Sequence, residues 1–396
     1  MNGQSMKVPF CRIACDGNET AYIGEVLASG WLTTGAKALE LERRFAAAVQ
    51  AEHAVAVNSC TSALHLALEA VGVKAGDEVF VPTMTFTSSA EVVRYLNAHP
   101  VLLDVEYGTC LLTPAILTEA IRRHPGVKTL VVVHYGGQAA PLVGRDGEEG
   151  LLDLCRRHGI RVVEDAAHAF PAKCGGRMVG GLGDVTCFSF YANKTITTGE
   201  GGMLTTNDAA IAKRARTMRL HGIDRQVWDR YTSAKPGWEY DVVAPGFKYN
   251  MPDVNAAIGL AQLERAWDFQ RERERCARRY LHDLAGVPHL DLPVLRAAVE
   301  DQAWHLFPVV VRPGAPVDRN RCIELLAERG IGTSVHYRPL HRMTYYRDTY
   351  HLKPEAFPQA ERVWQGCLSL QIFPTLADEE LAYVVDVLRA VMEGRA

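Results

Sequence analysis

The stretch Ile160–Phe170, IRVVEDAAHAF, decides the fold. Ile160–Glu164 reads as a buried strand, and the chain turns small and polar straight after it. In a buried parallel strand the carboxyl end is where ligands bind, and here that end carries Asp165, with His168 three residues later. An Asp after a strand is also a common cap of the turn that follows, so this motif needs company before it carries chemistry.

Outward from it, strand-like and helix-like segments alternate. Ala54–Val57, Glu78–Val81, Val101–Val105, Thr129–His134 and Val185–Phe190 read as strands. Ser62–Val71, Ser88–Leu96, Pro114–Arg123 and Glu148–His158 carry helical spacing. Continuous apolar strands joined by helical crossovers indicate an α/β fold whose sheet is mostly parallel and covered on both faces. Lys173–Asp184, KCGGRMVGGLGD, has the glycine pairs of a hairpin. Val254–Leu284 reads as one long helix with a charged middle and no proline. Beyond it, strand candidates Ala303–Val311 and Thr333–His336 and helices Arg319–Arg329 and Asp378–Met392 make a smaller α+β domain. The division falls at residues 1–255 and 256–396, and 396 residues suffice for both at about 100–200 residues per domain.

Composition narrows the function. Hydrophobic residues are 48% and charged residues 22%, which excludes a disordered or fibrous chain. Lys+Arg 43 against Asp+Glu 46 leaves a net charge of −3, so no global field favours nucleic acid or an anionic membrane. An anionic ligand must be met by local residues. The ten cysteines sit singly, without a C-x-x-C pair, and read as small buried hydrophobes in a reducing compartment rather than as metal ligands. With no apolar leader at the start and no run of about 18 apolar residues, a cytoplasmic protein is expected.

Three further segments supply chemistry. Cys187–Thr206, CFSFYANKTITTGEGGMLTT, leaves a β-rich run and reaches Lys194 among small polar residues. A lysine held away from bulk water has its pKa lowered and becomes nucleophilic, whereas a lone lysine is otherwise a surface residue. Lys194 follows Asp165 after one strand–hairpin–strand excursion, which lets an acid and an amine on neighbouring strands face one ligand. Val57–Leu68, VNSCTSALHLAL, puts Cys60, Thr61 and Ser62 between a strand and a helix, where free N–H groups and hydroxyls receive a phosphate or simply cap. Phe86, after another strand in VPTMTFTSS, offers an aromatic face or an ordinary core ring.

Together these parts match the needs of pyridoxal 5'-phosphate: an amine, a carboxylate for the ring nitrogen, a helix end for the phosphate and an aromatic cover. The chain resembles the sugar aminotransferases of the DegT/DnrJ/EryC1/StrS family. The resemblance runs through SGWLTTG (Ser29–Gly35), NSCTSALHLAL, EDAAHA, FSFYANK, TTGEGG, LHG (Leu220–Gly222), GFKYNMPDVNAA and HYRPLH (His336–His341). It implies the fold type I, aspartate-aminotransferase-like architecture, with a mostly parallel seven-stranded sheet and a smaller C-terminal domain.

By the same resemblance, Lys194 is the Schiff-base lysine, Asp165 the pyridinium partner, Phe86 the stacking aromatic, and His168 a contact of the ring oxygen. Cys60, Thr61 and Ser62 match the phosphate loop, with Ser189 adding a hydroxyl. Many relatives carry Asn-Tyr-Arg where this chain has Lys248-Tyr249-Asn250, so Lys248 stands where an Asn reaches the partner subunit's cofactor phosphate; the longer cation meets that phosphate, a substrate phosphate, or only solvent. The implied protein is a homodimer with shared active sites and ping-pong chemistry. It carries nitrogen from an amino acid, L-glutamate foremost, to a keto-sugar linked to a nucleoside diphosphate. For the diphosphate the candidates are Arg219, His221, Arg225, Lys235, His336, Arg338 and His341, with His336 and Tyr337 nearest the sugar.

Within the family, a 3-dehydratase carrying His in place of the lysine and a cyclitol-ketone aminotransferase are alternatives; Lys194 speaks against the first. A cofactor-binding regulator would want an appended basic segment. A nicotinamide dehydrogenase would want G-x-G-x-x-G after the first strand, which the glycines here do not form.

Overall fold

A computed structural model describes residues 6–145, 147–224 and 239–395; Arg225 and Lys235 lie outside the described residues. The central strands are β1 (His53–Val57), β2 (Glu78–Pro82), β3 (His99–Leu103), β4 (Thr129–Val133) and β5 (Arg161–Asp165). A short hairpin, β6 (Lys173–Cys174) and β7 (Arg177–Met178), precedes β8 (Val185–Ser189) and β9 (Gly202–Thr206). The hairpin turns on Gly175 and Gly176, both at positive φ (58° and 76°), as two-residue hairpin loops require.

Among the described residues the main sheet has seven strands in the order β1-β9-β8-β5-β4-β2-β3. Only β9 runs against its neighbours; β8, β5, β4, β2 and β3 pair in parallel. Alternation along each strand splits its side chains between two cores. Ala54 and Ala56 join one cluster while Val55 and Val57 join the other, and Leu130 and Val132 part from Val131 in the same way. Burial on both faces explains why these strands read as unbroken apolar runs.

Helices α1 (Glu19–Ser29), α2 (Ala36–Val49), α3 (Cys60–Ala70), α4 (Ser88–Tyr95), α5 (Pro114–Arg123), α6 (Leu151–His158) and α7 (Ala209–Met218) belong to the part that precedes residue 225. The second part holds α8 (Asp253–Glu264), α9 (Ala266–Asp283), α10 (Arg319–Glu328), α11 (Thr344–Tyr350), α12 (Pro358–Gly366) and α13 (Asp378–Met392). Its own sheet, β10 (Leu290–Asp291), β11 (Phe307–Val311) and β12 (Cys367–Leu370), is antiparallel. A third cluster fills it, with Tyr280, Phe307, Leu368 and Val384 at its centre and Val8 joining from the N-terminal segment.

Several local expectations shift. The long helix is two, broken at Arg265 (φ −104°, ψ 2°), whose N–H bonds to Gln262 three residues back and whose guanidinium lies over Phe269. Thr333–His336 is not a strand; Ser334 makes a single bridge to Ser369. Helix α6 starts at Leu151 rather than Glu148, because Gly150 is pressed against the backbone of Leu142–Gly144. Eight of the ten cysteines are buried as expected, but Cys11 and Cys15 are exposed. Among the described residues no helix is long and apolar enough to cross a membrane.

Two phosphate candidates turn out to be structural. Arg219 is buried, paired to Glu42 at 2.5 Å and donating to the Ala56 carbonyl at 2.7 Å, while Glu42 also accepts from the Ala56 N–H at 2.9 Å. This knot ties α2 and the end of α7 to β1. His341 spends both ring nitrogens in the core, on Thr83 Oγ1 (2.8 Å) and Glu361 (2.6 Å), with its ring stacked on Phe357. Removing one partner of a buried ion pair strands the other. Glu42→Ala is therefore expected to lower the unfolding free energy by about 3–5 kcal/mol in denaturant titrations, and Glu42→Leu combined with Arg219→Met to recover most of it.

Candidate active site

A cavity of about 440 Å³ opens at the carboxyl ends of β2, β4, β5 and β8, where open α/β sheets bind ligands. It is lined by Cys60, Thr61, Phe86, Asp165, His168, Ser189, Lys194, His336 and Tyr337. Nine residues singled out from the sequence thus meet in one place.

Two do not line it. Ser62 is buried one turn into α3, where its N–H donates to the capping Ser59 Oγ (3.1 Å) and its hydroxyl to Asn58 Oδ1 (2.6 Å). Its role is to shape the loop that Cys60 and Thr61 present. Lys248 lies outside, its Nζ donating to Asn250 Oδ1 at 2.6 Å. Of the phosphate candidates among the described residues only His336 lines the cavity; His221 and Arg338 are exposed away from its wall.

Asp165 ends β5. Its Oδ2 accepts from Ser89 Oγ at 2.6 Å and its Oδ1 from the Ala167 N–H at 3.1 Å, so the capping reading and the ligand reading are both realised. Burial pushes its carboxyl above the usual range, and the two donors and the Lys194 charge pull it back. A cationic ring N–H beside it favours the ionised form further.

His168 accepts from the Gly136 N–H at Nδ1 (3.3 Å), so in the neutral ring Nε2 carries the proton and donates to Tyr337 Oη at 3.0 Å. Burial, with Lys194 nearby, holds this imidazole well below its ordinary pKa, and it is neutral. Burial likewise brings His336 down to about 4, and it pushes the Tyr337 phenol up.

Lys194 follows β8 on the loop before β9, its Nζ 3.4 Å from His305 Nε2. Desolvation lowers its ammonium to about 8, partly offset by Cys60 and Asp165, which favour the charge. A neutral amine thus forms near physiological pH.

Glycines let these parts approach. A Cβ on Gly202 would sit 2.5–2.6 Å from the backbone of Ser59 and Cys60, so only glycine seats the start of β9 against the N-terminus of α3. Phe86 stands 58% exposed at the mouth with its ring 6.2 Å from that of Tyr337, free to cover a planar ligand. An amine, a buried acid, an aromatic lid and a helix N-terminus with Ser59 as its cap fit pyridoxal phosphate.

The sequence pattern of the DegT/DnrJ/EryC1/StrS aminotransferase family matches residues 14–389. The chain belongs to this family. The spore coat polysaccharide biosynthesis protein SpsC of Bacillus subtilis is 41% identical over 98% of this chain and 97% of its own. The aminotransferase TlmJ of Streptoalloteichus hindustanus superposes with a TM-score of 0.88 at 33% identity, over 99% of this chain and 100% of TlmJ. Spr1654 of Streptococcus pneumoniae in its PLP form superposes at 0.86 and 30%, over 99% and 100%. As a DegT/DnrJ/EryC1/StrS protein, the chain is a pyridoxal-phosphate-dependent aminotransferase of fold type I.

Thr85, Ser89, Tyr191, Glu200 and His305 were not singled out in the sequence; all but Ser89 line the cavity, and Ser89 bonds to Asp165. Ser89 sits in the quoted VPTMTFTSS, where hydroxyls after a strand were the available signal. His305, alone among apolar neighbours in AWHLFP, gave none.

Gly202→Ala is expected to weaken cofactor retention about tenfold or more, read from absorbance after dialysis, because the added carbon meets backbone. In cofactor-free protein, reductive methylation of Lys194 followed by mass spectrometry should show a midpoint near pH 8, against the ordinary 10.5.

Proposed function

We propose that the enzyme moves an amino group from an amino acid, L-glutamate foremost, to a keto-sugar linked to a nucleoside diphosphate, in two ping-pong half-reactions. The observation that carries the reading is the Lys194 amine, its ammonium lowered to about 8 by burial in the cavity that also contains Asp165. The sugar class is supported by a relative: SpsC is named for spore coat polysaccharide biosynthesis.

Bound pyridoxal phosphate supplies the carbonyl that takes and gives the nitrogen and the ring that stores an electron pair. Lys194 is the amine that would hold that carbonyl group. Once free, its Nζ would take the substrate's α proton and give it back, as general base and then acid. Asp165 would hold a proton on the ring nitrogen. His168 would turn its Nε2–H from Tyr337 to the ring oxygen, and Phe86 would cover the ring and exclude water. The N–H groups of Cys60 and Thr61, with the Ser189 hydroxyl, receive the phosphate. His336 and Tyr337, from the part beyond residue 255, face the sugar. Residues 1–255 carry the cofactor and 256–396 close over it.

Lys248 reaches the phosphate in the neighbouring subunit of a homodimer. Its place outside its own cavity supports this.

L-Glutamate alone is expected to bleach the visible-edge absorbance of the holoenzyme, and keto-sugar nucleotides to restore it; no spectral change with any amino acid would overturn the transaminase reading. Lys194→Ala should abolish the band. Mixing Lys194→Ala with Lys248→Ala subunits should regain about a quarter of wild-type turnover if the sites are shared, since hybrid dimers keep one intact site. Activity no higher than the sum of the separate variants would place Lys248 outside the neighbour's site.

A further inference from the structure

His305 is clamped in place by backbone. Ala303 N–H donates to the Gly137 carbonyl at 2.9 Å and Leu306 N–H to the Gly136 carbonyl at 3.0 Å, on either side of it. Gly136 of the same pair donates its N–H to His168 Nδ1. A Cβ on Gly137 (φ 101°) would lie 2.9–3.0 Å from Trp304 N, His305 N and His168 O, so the two segments touch as closely as glycine allows. On the other side the Trp304 carbonyl accepts from buried Arg273 at 3.2 Å.

The ring is 5% exposed, its centroid 4.3 Å from that of His168. Nε2 lies 3.4 Å from Lys194 Nζ, and among the described residues Nδ1 is buried without a hydrogen-bond partner. A lysine side chain is flexible and its amine carries two N–H groups and one lone pair. If Nε2 accepts one N–H, the proton of the neutral imidazole is placed on Nδ1, and the amine's lone pair stays free.

We infer that His305 holds the released Lys194 amine through Nε2, aiming its lone pair at the substrate carbon while one proton is taken up and given back. His305 acts through Lys194 and is a positioning residue. The inference rests on Lys194 being the reacting amine. The ionisable groups that act on that amine include Cys60, Asp165 and Arg273, and Tyr191, Glu200 and Tyr337 share its cavity with His168 and His336. Burial, with Lys194 and His168 beside it, keeps His305 itself neutral, as an acceptor must be.

The test compares His305→Gln, His305→Asn and His305→Ala as holoenzymes. A Gln carbonyl reaches the place of Nε2, whereas an Asn carbonyl reaches only that of Nδ1. The Asn and Ala variants are expected to keep the visible cofactor band. Both should slow glutamate-driven bleaching and solvent exchange of the glutamate α proton about 100-fold, as misplacing a reacting group does. KM for glutamate should stay within about threefold, and Gln should recover most of the rate. Wild-type bleaching in the Asn variant, a Gln variant as slow as Asn, or KM rising as kcat falls would each overturn the inference. Should Ala not fold, the Asn and Gln pair decides. A band that survives Lys194→Ala would instead remove the lysine reading beneath it.

Discussion

The close approach of β9 to the loop before α3 is the constraint on which the site depends. β9 alone runs against the sheet's direction, between β1 and β8, and Gly202 pairs with Val57 on one side and Ser189 on the other. The N-terminus of α3 follows β1, and Lys194 lies on the loop from β8 to β9. One glycine without a side chain therefore decides how near the phosphate end and the amine end can come. Gly201 repeats the demand, since a Cβ there would meet Thr198. The Gly201–Gly202 pair is thus a packing requirement first, whereas Gly199 answers to its positive φ of 79°.

Given that geometry, burial sets the electrostatics. The same desolvation acts in opposite senses on acids and bases, raising Asp165 and lowering Lys194, His168 and His336. Three imidazoles stay uncharged around one amine, so the positive charge near the carboxylate is left to Lys194 and to whatever cation binds. Local hydrogen bonds then refine the outcome. Asp165 has two donors that hold its ionised form, whereas among the described residues Lys194 Nζ has only an imidazole, which does not stabilise a charge as a carboxylate would.

Much of this was legible in the chain. Unbroken runs such as Thr129–Val133 disclosed a sheet covered on both faces, because each alternate side chain enters a different apolar core. The residues beside strand ends, Asp165, Lys194, Cys60 and Phe86, were legible because the carboxyl ends of parallel strands gather ligands. Less visible was whatever long-range pairing decides. Arg219 and His341 look like phosphate-binding cations until Glu42 and Glu361, distant in sequence, appear beside them. β9 and helices α1 and α2 escaped notice because β9 is antiparallel among parallel neighbours and the helices precede the alternating region. The break at Arg265 has no proline or glycine to announce it.

The site also explains why the second part of the chain is joined as it is. His305 precedes β11, and His336 bonds through Nδ1 to Ser369 in β12 at 2.9 Å. Both reach the cavity from the small antiparallel sheet, whose pairing of Val309 with Leu368 fixes their spacing. Tyr135, on the loop after β4, donates to the His336 carbonyl, and Gly136 and Gly137 beside it hold the His305 segment. A single loop of the large sheet thus positions both histidines. Tyr135–Gly137 is thus a contact through which the placement of the small sheet bears on the amine of Lys194.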